Sequence, residues 1–203
     1  KTDDGGGYRR AHGFGSGMQA LQTHKTQMVG IGGCYRMLGN QLHEPNHVES
    51  PITDQDGLRV LDIQTTVTGE KTTTQASAKR QDVALHGYEI HMGETTLGTE
   101  ATPFSKIIEN NGEPEDRLDG AVNADGSVWG TYLHGIFDNT AWTRHLLDQL
   151  RVAKGLEPLH AKNESMAEYK EEQYEKLAQI VEDNVDMAKI DQILAESEVD
   201  YGK

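Results

Sequence analysis

The sequence predicts an α/β fold, a central sheet flanked by helices that ends in an acidic helical segment. Three observations predict it. A short apolar run, Gln27 to Ile31, meets a glycine pair and then a helix-competent stretch from Cys34 to Leu38. The middle of the chain alternates apolar and polar residues with the period of strands. The last third repeats apolar residues at helical spacing.

The elements follow in order. Residues 1–17 hold six glycines and little apolar content, so they read as a poorly defined start rather than as helix or strand. Residues 18–203 read as one domain. Met18 to Lys25 is expected to be a short helix. Gln27 to Ile31 suits a buried parallel strand, Gly32-Gly33 breaks it, and Cys34 to Leu38 starts a helix. Strand, glycine turn and helix together outline a nucleophile elbow. Leu58 to Ile63 leads into a Thr-rich stretch from Thr65 to Thr74. Val83 to Leu85, Tyr88 to Met92 and Phe104 to Ile108 are further strand candidates. Residues 109–120 carry turn chemistry. Ala124-Asp125-Gly126-Ser127 reads as a hairpin turn, followed by a strand from Val128 to Leu133 that His134-Gly135 closes. Asn139 or Thr140 is expected to cap a helix running to about Lys154, which Gly155 stops. Ser165 and Glu168 have the spacing of a capping box. Apolar residues from Met166 to Val181, and from Met187 to Leu194, continue the helical pattern.

Composition narrows the function classes. The 203 residues carry 19 basic and 33 acidic side chains, a net charge of −14. So acidic a chain lacks the basic footprint that nucleic acid or an anionic membrane requires. From Glu157 onward 13 acidic and 5 basic residues contribute −8 of that charge, which reads as a solvated helix face. No run of 18 apolar residues and no opening signal-peptide pattern occurs. The single cysteine, Cys34, cannot form an intrachain disulfide, so a cytoplasmic location is expected. No Gly-x-x-x-x-Gly-Lys-Ser/Thr loop is present for ATP. The chain starts at Lys1 and reads as a piece of a longer or processed protein.

Two segments could carry chemistry, Gly30 to Gly39 and Gly130 to Asp138. In each, a strand ends beside glycine at a residue suited to nucleophilic catalysis. An elbow aims the backbone N–H that follows its nucleophile at a developing oxyanion. A cysteine at a helix N-terminus has its thiolate favoured, and a histidine at a strand end can take and return a proton. Spacing alone leaves open a core cysteine and a surface histidine. His86 and His91 are five apart on a strand and face opposite sides, so they do not share a metal. His43 and His47 lack zinc spacing, and no metal site is expected. Glu89 reads as structural, with orientation of His134 as the alternative.

Three motifs, GIGGCYRMLG at 30–39, GYEIHMG at 87–93 and GTYLHGIFDN at 130–139, resemble the glutamine amidotransferase domain of cobyric acid synthase. That domain lies in the cobalamin-pathway branch of the class I amidotransferases, and the likeness covers roughly residues 17–195. The resemblance implies a flavodoxin-like α/β fold, N-terminally incomplete here. It implies an elbow cysteine that attacks the side-chain amide of glutamine, with His134 as the catalytic histidine. The resemblance implies that this branch lacks the Glu other amidotransferases carry two residues after the catalytic histidine, and Ile136 at that place agrees. His91 and Tyr88, within the second motif, are implied substrate contacts. The ammonia released is implied to reach an ATP- and Mg²⁺-dependent synthetase domain, absent here, that amidates cobyrinic acid diamide. The family writes the first motif G-I-C-G-G-Y-Q-M-L-G. Aligned without gaps, its nucleophile falls on Gly32, and Cys34 falls on its second glycine. If Gly32 marks the nucleophile, Gly33 supplies the oxyanion N–H; if Cys34 does, Tyr35 supplies it. Two other readings stay open: a domain that keeps the fold without catalysis, and a glutaminase subunit for amidating peptidoglycan precursors. GYEIHMG argues against the second.

Overall fold

A computed structural model describes residues 27–159 and 165–197. The expected helix at 18–25 and the glycine-rich start lie outside the described residues. The chain divides into two compact units, one through Leu146 and one from Leu147 onward.

The first unit holds two sheets and a short helix. β1 (Met28–Ile31) runs parallel to β10 (Val128–Thr131), which pairs antiparallel with β9 (Ala121–Asn123), and β9 pairs with β6 (Ala101–Thr102). In the second sheet β11 (Leu133–His134), β5 (Val83–Leu97), β4 (Ile63–Arg80), β2 (Gln41–His43) and β3 (Asp54–Asp56) lie side by side. β7 (Ser105–Asn110) pairs with β4 and with the edge strand β8 (Glu113–Asp119). The short helix α1 (Gly33–Met37) leaves the end of β1. The fold is thus mixed α/β, as the sequence predicts.

Three strand expectations change. The two segments at 83–92 are one strand, because β4 supplies a continuous antiparallel partner from Val83 to Met92. Residues 109–120 are a hairpin rather than a loop, turning only at Asn111-Gly112, where both residues have positive φ. Pro114 is tolerated there because β8 is an edge strand. The strand expected over 128–133 breaks at Tyr132 and changes sheet: Val128–Thr131 belongs to the first, Leu133–His134 to the second.

The break has a physical cause. The buried Asp119 carboxylate accepts hydrogen bonds from the Thr131 hydroxyl and from the Tyr132 N–H at 3.1 Å, and Thr131 Oγ1 accepts the Leu133 N–H at 2.9 Å. Backbone groups at the corner that leave the ladder find side-chain partners instead. Apolar packing closes the unit on both sides of β10. Met28, Tyr35, Leu38, Leu61, Ile63 and Val128 form one cluster. Leu85, Phe104, Ile107, Trp129, Leu133 and Trp142 belong to the other. Each fully buried side chain of this size contributes about 1.5–3 kcal/mol.

α2 (Thr140–Ala153) is closed by Gly155, whose φ is 71°, with the Leu156 N–H donating to the Arg151 carbonyl. In the second unit, α3 (Met166–Asn184) opens on the expected capping box: Ser165 Oγ accepts the Glu168 N–H at 3.1 Å, and Glu168 accepts the Ser165 N–H at 2.8 Å. α4 (Met187–Ser197) follows. Ser165→Ala is expected to cost about 1 kcal/mol of helix stability, read as lost ellipticity at 222 nm on thermal melting. No helix among the described residues is long and apolar enough to cross a membrane.

Candidate active site

The parallel pair β1–β10 brings the first and third motifs to one end of a sheet. The Gly32 N–H donates to the Thr131 carbonyl at 3.0 Å, so the elbow stands beside the corner that leads to His134. Gly32 has φ 57° and ψ −121°, a backbone conformation that side chains rarely adopt. A Cβ built on Gly32 lies 3.0 Å from both Nε2 and Cε1 of His134. Gly32 and His134 are therefore face to face. His134 Nε2 is buried and has no hydrogen-bond partner in the protein. A buried imidazole nitrogen facing the space beside Gly32 is geometrically disposed to exchange a proton with a group placed there.

Cys34 is placed differently. It is an exposed residue in the first turn of α1, two positions past the strained residue. Gly33 opens that helix, and the first N–H groups of a helix have no intrahelical partner. Tyr35 is buried at 1% exposure, with its ring edge-on to Tyr132 at 5.1 Å. Burial, and then the nearby Tyr132 and Asp119, push its phenol well above the ordinary range. Arg36, which stands where the family has Gln, is also buried. It donates to the Met92 carbonyl and to Glu49, both at 3.0 Å. The guanidinium thus ties the elbow helix to the end of the second motif.

The second motif splits between two faces of β5. Tyr88 pairs with His134 across the strands, and its ring stacks on the imidazole at 5.1 Å with planes 9° apart. His91 lies on the other face. It stacks on Tyr132 at 3.9 Å, its Nδ1–H donates to the Gly93 carbonyl, and its Nε2 is 3.7 Å from Glu89. His91 also lines a cavity of about 470 Å³ with Tyr35, Thr95, Arg117 and Tyr132. Glu89 is engaged by His91 and by Arg117 at 2.5 Å rather than by His134. His86 is 3.3 Å from the Ser77 hydroxyl, and His43 pairs with Asp54 at 2.6 Å. Among the described residues, no three His, Cys, Asp or Glu side chains converge as a metal ion would need.

Two buried acids respond oppositely to this environment. Burial alone would raise the Glu89 carboxyl, but hydrogen bonds and charge from His91 and Arg117 outweigh it and hold the group below the usual carboxylate range. Burial raises Asp119 despite its bonds from Thr131 and Tyr132. Because Glu89 titrates lower in the folded state, its stabilisation is present above the unfolded carboxyl value of about 4.3. It is lost as the pH falls through the lower folded value. Asp119 runs the other way, losing stability as the pH rises above about 3.9. Glu89→Gln leaves Asp119 in place. The variant is expected to be less stable at neutral pH and to lose less on acidification below about 4.3. Urea unfolding at pH 7 and pH 3 reads this; equal pH dependence in both proteins would overturn it.

Sequence reasoning missed Asn139 as anything but a helix cap. Its carbonyl does accept the Thr143 N–H, but its side chain reaches β5, where Oδ1 accepts the His86 N–H at 2.7 Å. The only signal was its place at the end of the third motif.

Comparison with known proteins fits this geometry. Residues 6–142 match the model of the CobB/CobQ-like glutamine amidotransferase domain. Cobyric acid synthase of Limosilactobacillus reuteri (strain DSM 20016) is 56% identical over 190 residues, 93% of this chain and 38% of the relative. Cobyric acid synthase of Streptococcus sanguinis (strain SK36) is 46% identical over 172 residues, 85% of this chain and 34% of the relative. That of Alkaliphilus metalliredigens (strain QYMF) is 42% identical over 193 residues, 89% of this chain and 38% of the relative. The chain thus spans between about a third and two fifths of the length of these relatives. It belongs to the CobB/CobQ-like glutamine amidotransferase domain family.

Proposed function

We propose that this chain is the glutamine amidotransferase part of a cobyric acid synthase-type enzyme. Its site holds glutamine beside His134, and the ammonia released amidates corrin-ring carboxylates. The observation that carries this is the 3.0 Å approach of His134 Nε2 to the Cβ position of Gly32. In the reaction such a site serves, a thiol at position 32 gives its proton to His134 and adds to the glutamine amide carbon. The Gly33 N–H holds the oxyanion. His134 returns the proton to the departing ammonia, leaving a thioester. It then takes a proton from water, which attacks the thioester, and glutamate leaves as the thiol is restored. Tyr88, exposed beside the imidazole, is proposed to touch the substrate; His91 is proposed to shape the site from the far face of β5. ATP and Mg²⁺ are assigned to a synthetase partner, and cobyrinic acid diamide to that partner's site. This reading places the protein in the cytoplasm.

With glycine at position 32 the chain has the base and the elbow without the sulfur. That observation favours a second reading, a domain that keeps the fold without splitting glutamine. Glutamate release by the chain, by Gly32→Cys and by Cys34→Ser decides. An inert chain and an active Gly32→Cys support the site as assigned and put the chain itself, without the sulfur, under the second reading. Release by the chain that Cys34→Ser abolishes moves the chemistry to Cys34, with Tyr35 N–H at the oxyanion. No release from any of them leaves the non-catalytic domain. With a synthetase partner and ATP supplied, amidation of a corrinoid rather than a peptidoglycan precursor supports the acceptor.

A further inference from the structure

We propose that Asn139 is a positioning residue for His134, a role that rests on His134 being the base. β11 is only two residues long and pairs with β5 through Leu133 opposite Glu89 and His134 opposite Tyr88. So short a strand does not hold its own register. In an antiparallel ladder the next hydrogen-bonded place, opposite His86, would fall to residue 136. The chain has already left: Gly135 has φ 74°, and Ile136–Asp138 form a 3-10 turn.

The Asn139 side chain fills the vacated place. Oδ1 accepts the His86 N–H at 2.7 Å, and Nδ2 donates to the His86 carbonyl at 2.9 Å. This is the donor and acceptor pair that a strand residue would present. Nδ2 also reaches the carbonyls of Gly135 at 3.3 Å and Ile136 at 3.0 Å. One amide therefore fastens the turn that follows His134 to β5. Tyr88, two residues along β5 from His86, fixes the plane of the imidazole by stacking. Backbone and ring of His134 are both referred to residues 86–88. Asn139 acts on the histidine only through the turn.

The chemistry of the bracket selects an amide. Aspartate can still accept from the His86 N–H, but it sets a carboxylate oxygen against three carbonyl oxygens. Alanine leaves the His86 pair and both turn carbonyls without this partner. A turn loosened by about 1 Å moves a base enough to cost about 100-fold in rate.

The experiment uses the full chain carrying Gly32→Cys, with Asn139→Asp and Asn139→Ala added separately. Thr143→Val is the control; it removes the hydrogen bond from Thr143 to the Phe137 carbonyl in the same region without touching the bracket. Two readouts are taken: kcat and KM for glutamine, and the imidazole proton resonance of His134, identified by its disappearance in His134→Gln. Asn139→Asp is expected to lower kcat about 10- to 100-fold, leave KM within a few-fold, and move the His134 resonance as its stacking on Tyr88 changes. Thr143→Val should do neither. If Asn139→Ala does not fold, the near-isosteric Asp variant decides. An Asn139→Asp protein with unmoved kcat and resonance, or a kcat loss matched by Thr143→Val, overturns the proposal. If Gly32→Cys is itself inert, the assignment of the nucleophile position fails. The resonance still reports whether Asn139 holds the imidazole.

Discussion

Gly32→Cys is expected to raise glutamate release from glutamine by at least about 10⁴-fold, the scale on which a nucleophile contributes when the rest of its machinery is in place. The space is directional: the Cβ position at Gly32 already faces His134 Nε2. The same geometry sets a cost. Gly32 has φ 57°, where a side chain is strained by about 1–3 kcal/mol. At 3.0 Å the new Cβ also requires the imidazole to give by a few tenths of an ångström. The variant is therefore expected to gain activity while losing stability, an exchange common at active sites. Urea unfolding should show a lower midpoint for Gly32→Cys and an unchanged one for Cys34→Ser, because Cys34 is exposed. A gain that requires Cys34, tested in the double variant, would sink the assignment. Gly32→Ala supplies the comparison: it carries the same strain without the sulfur and should lose stability and gain nothing.

The parts of this arrangement that were legible in the sequence are local. The run ending at Ile31, the glycines after it and the helix beyond are neighbours in the chain, so pattern alone places them. The Asp125-Gly126 turn and the Ser165 capping box are equally local; the Gly126 N–H donates to the Asn123 carbonyl, and both capping bonds form. What was not legible depends on partners far along the chain. Glu113–Asp119 looks like a turn because of Pro114 and its acids, and becomes a strand only because β7 supplies a ladder on one side. The break at Tyr132 depends on Asp119, 13 residues earlier, which no periodicity marks. At the site, two motifs named the elbow and His134, yet neither could say which side chain faces the imidazole. Gly32 and Cys34 are two letters apart. Only the backbone angle at Gly32 and the helical start at Gly33 turn one toward His134 and leave the other exposed.

Gly87→Ala is expected to disable the site from its supporting strand. A Cβ added at Gly87 would lie 2.1 Å from the His134 carbonyl oxygen and 3.0 Å from the Leu133 side chain. The first contact is with backbone, so no rotamer change relieves it. Either β5 or β11 must move by about 1 Å, and a two-residue strand moves more easily than one built into a long ladder. The imidazole would travel with β11 away from position 32. Overpacking of this kind costs about 1–3 kcal/mol of stability, and the misplaced base costs about 100-fold in rate when a thiol is present at position 32. These two losses have different temperature behaviour. If Gly87→Ala merely unfolds part of the protein, glutamate release in the Gly32→Cys background should recover on cooling to where the variant is fully folded. If the histidine is displaced within a folded protein, kcat stays low at every temperature while glutamine binding persists. The second result is expected, because the tightest clash, at 2.1 Å, is with the backbone of the residue that carries the base. Wild-type kcat in the folded variant would show that β11 tolerates the methyl group, and the placement of His134 by its pairing with β5 would then be wrong.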